Sequence, residues 1–171
     1  MKALADIYFY NAIGLAIDLR NGSVSEVRAL KHLIASIILG GVGFDVPISV
    51  EFRESLTGIG QVSGFVLMFI ITGIISYYGV WLAYQANAKG DGEDFFLRFA
   101  ALTLPIGIQL AVLFLGIGIF LALLVIPLTN YFGQWGVYLI RAGFYVAGVV
   151  FAAMFFLRMH KYIAVASGAD D

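Results

Sequence analysis

The sequence predicts an all-α integral membrane protein: a bundle of four transmembrane helices with both termini cytoplasmic. Three observations carry that expectation. The 171 residues are 61% hydrophobic and only 12% charged, about half the charge of an ordinary soluble domain. The charges are also confined, because no Asp, Glu, Lys or Arg occurs in the windows 33–44, 55–88, 99–140 and 142–157, together 104 residues. Finally, a four-span arrangement puts eight of the ten basic residues on one side, which is the positive-inside pattern.

The same composition excludes several function classes. A net charge of −1 offers no steering field toward nucleic acid or anionic lipid. The absence of cysteine removes disulfides, thiolate zinc sites and cysteine-ligated iron–sulfur clusters. The chain reads as one membrane domain over residues 1–171. The N-terminus does not read as a signal peptide, since Asn11 interrupts the apolar stretch and Asp18-Leu19-Arg20 stands where small residues would be needed.

Residues 1–20 are too short to span. Ile7, Tyr8, Phe9, Tyr10, Ile13, Leu15 and Ile17 predict a helix lying in the cytoplasmic interface, with Asn11, Gly14 and Asp18 as its wetter face. Asn21-Gly22 then turns the chain. Ser23-Val-Ser-Glu26 reads as a capping box that starts a helix at Val24. That helix supplies the first span, 29–46, with Lys31 snorkelling outward.

The second span, 62–84, ends in Trp81 and Tyr84, rings suited to a membrane interface. The window 99–140 is too long for one span, so the turn from Pro127 to Gly133 divides it into spans 100–126 and 135–157. Tyr131, Trp135 and Tyr138 make an aromatic belt around that turn. Pro105 either kinks the third helix or separates an interfacial helix from it, with Asp94 as the N-cap.

Small residues recur at four-residue spacing: Gly60 with Gly64, Gly79 with Ala83, Gly143 with Ala147, and Gly148 with Ala152. They let helix backbones approach closely in lipid. Arg141 lies six residues past Trp135 and needs a partner at that depth. Asp45 is the expected one, and Gln61 and Gln109 are further polar candidates for the same region.

No metal site or cofactor is expected. His32 and His160 read as interfacial histidines, and the acids of the loop 87–94 read as a solvated turn. Lys89 stands where a calcium loop needs an oxygen ligand. No hydrolase, P-loop or dinucleotide motif is present.

The expected function is therefore that of a non-catalytic structural, accessory or assembly subunit in a bacterial-type inner membrane. Its partners would be the lipid bilayer and either a second copy of itself or another membrane protein, with no nucleic acid. The rival readings are a homo-oligomeric channel or transporter with a pathway near Arg141, Asp45 and Gln109, and a lipid- or quinone-handling enzyme.

Overall fold

The structure, a computed structural model, describes residues 7–44 and 59–169. Among the described residues it is all helical, with no strand: α1 (Ala12–Arg20), α2 (Glu26–Phe44), α3 (Ile59–Lys89), α4 (Phe95–Phe132) and α5 (Gln134–Ser167). Three of these contain stretches long and apolar enough to cross a membrane, Phe69–Lys89, Phe95–Phe120 and Tyr145–Ser167. The chain is a helical membrane protein by that measure.

Local chemistry explains where the elements start and stop. The Asn11 side-chain oxygen accepts from the Gly14 amide at 2.9 Å and caps α1. Asn11 is thus a cap and is also exposed, whereas Gly14 and Asp18 of the expected wetter face are half-buried. Asn21-Gly22 turns the chain as expected, with Gly22 at φ +66, a left-handed angle that glycine adopts without a Cβ penalty. The cap of α2 sits two residues later than the sequence suggests. Ser25, not Ser23, accepts from the Arg28 amide at 3.3 Å, while the Ser23 hydroxyl donates back to the Asp18 carbonyl at 2.9 Å. Ser23 is drawn away because it helps close the α1–α2 turn.

Pro105 neither ends nor divides α4, which runs unbroken for 38 residues, about 57 Å at 1.5 Å per residue. The expected turn over 127–133 is also absent, since the helix continues through Pro127 to Phe132. The break is Gly133 alone, at φ +54 and ψ −131. α4 and α5 then run antiparallel, as the pairing of Phe114 with Phe151 shows (ring centroids 5.1 Å apart).

Among the described residues the extensive helix contacts form a row, α2–α4–α5–α3, with α1 laid across α4 and α5. The small-residue stripe of α3 explains its place in that row. A Cβ on Gly79 would collide with the Phe156 side chain of α5, and Ala83 and Ala86 continue the buried line. Asp94 precedes α4 as expected, and its carbonyl accepts from the Arg98 amide at 3.0 Å. It does so at φ +49, a left-handed conformation uncommon outside glycine.

The buried core lies across the row at one end of its helices. It joins Ala12, Leu15 and Ala16 of α1 to Leu102, Ile106 and Leu110 of α4 and to Met159, Ile163 and Ala166 of α5. We call this the core end. The remainder of α3, α4 and α5, toward Gly133, is the open end. Phe69, Leu115, Phe120 and Val146 there face outward.

Candidate functional site

The core end is tied by three polar clusters, each assembled by α1, by a helix end or by a loop. The first surrounds Arg98. This residue sits one turn into α4 and is 4% exposed. Its guanidinium donates to both Asp91 carboxylate oxygens at 2.5 Å, to the Asn87 side-chain oxygen at 2.7 Å and to the Glu93 carbonyl at 2.8 Å. Asn87 in turn donates to the Glu93 carbonyl at 3.0 Å. The paired guanidinium holds the Asp91 carboxyl below its ordinary value of 3.8. The Asp91 amide donates to the Ser167 carbonyl at 3.0 Å, which fastens the loop to the last turn of α5. A side chain on Gly90 would strike that same carbonyl.

The loop 87–94 is therefore a clasp, not a freely solvated turn. Sequence reasoning missed Arg98, because a basic residue at the edge of an apolar window looks like an interfacial cation. The cue was local: an acid seven residues before it, across a Gly-containing turn.

The second cluster surrounds His32, which is fully enclosed by the chain rather than open to its surroundings. Its Nδ1–H donates to the Arg28 carbonyl at 2.8 Å, and its Nε2 accepts from the Tyr8 amide at 3.0 Å. Both bonds require the neutral ring with the proton on Nδ1. The Tyr8 hydroxyl donates to Asp18 at 2.5 Å, and this bond, aided by burial, raises the phenol above its usual 10.0. The Arg28 guanidinium lies 5.0 Å from the Tyr8 ring centroid. The residues before α1 are thus pinned to α2.

The third cluster joins α1, α4 and α5. The Gln109 amide donates to the Tyr10 carbonyl at 2.6 Å. Its oxygen accepts from Arg158 at 2.8 Å. Gln109 is thereby placed with Arg158 and not with Arg141. The two arginines are 17 residues apart on α5, about 25 Å along the helix.

The other expected site residues are distributed as follows. Asp45 lies outside the described residues, and so do the side chains of Gln61, Arg141, Tyr131, Trp135 and Tyr138 and the surroundings of Gly60 and Gly64. Trp81 and Tyr84 are half-exposed and stacked, with centroids 6.0 Å apart. Gly79 and Ala83 are buried against α5. Gly143 faces open space, Gly148 is exposed, and Ala147 and Ala152 are half-buried.

An open groove of about 610 Å³ runs beside Ser76, Tyr77, Trp81, Tyr84, Phe95 and Phe96, and it is almost wholly apolar. Among the described residues no group of three or more His, Cys, Asp or Glu gathers as a metal site. Comparison with protein families, with curated proteins and with solved structures gives no match.

Proposed function

We propose that this chain is a non-catalytic structural or assembly subunit of a membrane complex in a bacterial-type inner membrane. The observation that carries the reading is a contrast in how polar and apolar groups are used. The clusters at Arg98 and His32 are turned inward onto the chain's own loops and helix ends. The apolar side chains of the spanning helices are mostly turned outward, with only 17%, 28% and 17% of their apolar windows buried. In lipid the hydrophobic effect does not drive helices together, so such faces are available to a partner helix by shape and close contact.

In this reading α2 is a further span, giving four, and both termini are cytoplasmic. Ile34, Ile37, Ile38 and Leu39, exposed on α2, support it, as does the basic bias of the connections. Accessibility labelling tests the topology: a tag after Gly90 and one at the C-terminus react from the cytoplasmic side, and one after Ser55 from the other. A cytoplasmic signal at Ser55 removes the fourth span.

The subunit reading is tested by extraction in mild detergent from the native membrane. The expected particle is far heavier than the 18.6 kDa chain. Ile119→Trp, on the outward face of α4, should release the chain from it. A lone chain that conducts solute in liposomes, with flux lost on Gln109→Leu, would replace this reading with the channel.

A further inference from the structure

Among the described residues the third polar cluster leaves a charge unbalanced. Arg158 is half-buried, and its one hydrogen bond among the described residues goes to the neutral amide oxygen of Gln109. No carboxylate of the described residues lies within ion-pair distance of it. A guanidinium has five N–H donors in a planar fork, so four remain. Gln109 cannot swing away, because its own amide donates to the Tyr10 carbonyl at 2.6 Å. That bond fixes the oxygen toward Arg158 and sets the direction of the remaining donors.

The level of Arg158 follows from helix register. Gly79 meets Phe156 and Gly90 meets Ser167 with the same offset along α3 and α5, so Trp81 stands level with Arg158. Tyr8 and Tyr10, two residues apart and so within about 7 Å, reach His32 and Gln109 respectively. Trp81, Tyr10, His32, Gln109 and Arg158 therefore form one girdle. On its open-end side lie the charge-free stretches 33–44 and 142–157 and the part of the window 99–140 beyond Gln109. Lys31 and Arg158 bound two of these stretches, and a half-exposed Trp at their level suits the headgroup layer. One turn deeper than Gln109, on its own face of α4, Val112 and Leu113 are exposed and apolar.

We propose that Arg158, oriented by Gln109, binds the phosphate of an anionic phospholipid whose acyl chains lie over Val112 and Leu113. Guanidinium and phosphate match as a bidentate pair, each charge-assisted bond stronger than a neutral one. The exposed Tyr10, whose carbonyl receives the Gln109 amide, borders the site just before α1. The proposal depends on the spanning helices and not on the subunit reading, so either can fail alone.

Native mass spectrometry of the full chain with phosphatidylglycerol tests it. The native chain should retain lipid adducts, and Arg158→Gln should lower their occupancy by at least about tenfold, the loss of one strong contact. Gln109→Glu supplies an internal counter-ion at the cost of the bond to the Tyr10 carbonyl, which a carboxylate cannot donate, so it should displace the lipid equally. Lys161→Gln, an exposed cation three residues on, should change occupancy by less than about twofold. Equal lipid retention in native chain, Arg158→Gln and Gln109→Glu would overturn the proposal. So would displacement of the lipid by excess inorganic phosphate, which would make the site one for a free anion.

Discussion

The two ends of the same helices are held by different means. At the core end, five helices contribute side chains that are fully enclosed, among them Leu102, Ile106, Met159 and Ile163. The Arg98, His32 and Gln109 clusters are threaded through them. At the open end the same helices present Leu115, Ile119, Phe120 and Leu123 outward, and Gly143 has open space where a side chain would go. Large apolar side chains occur along the whole length of these helices. What changes is the number of neighbours, because α1 and the α3–α4 loop are present at one end only. Enclosure makes one end depend on side-chain fit, and its lack leaves the other tolerant of change until a lipid or a partner covers it.

The largest effect should come from a core truncation set against an outward one. Leu102→Ala should destabilise by about 2 to 5 kcal/mol, the transfer cost plus the cavity. Leu115→Ala, at 66% exposure, should stay within about 0.5 kcal/mol. Thermal unfolding in detergent measures both, and equal losses would erase the distinction between the ends.

Removing the clasp comes next. Arg98→Ala leaves the Asn87 oxygen without its donor, the Glu93 carbonyl with the Asn87 amide alone, and Asp91 without its cation. A cost of about 2 to 3 kcal/mol is expected, less than for a fully buried pair because Asp91 is partly solvated. Increased proteolysis between Lys89 and Glu93 would register the released loop.

Glycine substitutions should then differ in sign. Gly79→Ala drives a methyl group into Phe156 and should cost about 1 to 3 kcal/mol. Gly143→Ala meets nothing within 4 Å and should stabilise by up to about 1 kcal/mol through helix propensity. Destabilisation at Gly143 in the native membrane, but not in detergent, would reveal a partner helix on that face.

The smallest effect is a pH dependence confined to the core end. Asp91 has its folded pKa depressed by Arg98. Its contribution is therefore present above the unfolded value near 3.8 and lost as pH falls through the folded value. Melting temperature should drop on acidification below that point, and Asp91→Asn should flatten this part of the curve at a lower overall stability.

Much of the architecture was legible because lipid imposes it. An apolar window without charge must be a helix, as its backbone has nowhere else to make its hydrogen bonds. The described residues of windows 55–88 and 99–140 accordingly form α3, α4 and the start of α5. Errors came where a local signal had a rival. Pro127 looked like a stop, yet Gly133, with its positive φ, is the sole break. Ser23 looked like a cap, yet it serves the preceding turn.

The clusters were largely illegible, and sequence separation explains why. Gln109 and Arg158 are 49 residues apart, and nothing in either helix's periodicity says that the two faces meet. His32 carries no local mark of burial, because what buries it is the segment around Tyr8, 24 residues earlier.

By itself the sequence determined that the chain is helical and membrane-embedded, and roughly where its long helices run. Those properties are set by the transfer of each residue between water and hydrocarbon, a local quantity that sums along the chain. Only the tertiary structure decided which end carries the core, that Arg98 is enclosed while Arg158 lacks a described counter-ion, and that Gln109 turns toward Arg158 and away from Arg141. Those properties depend on which faces of distant helices meet, and contact energies between particular side chains, not hydropathy, select them.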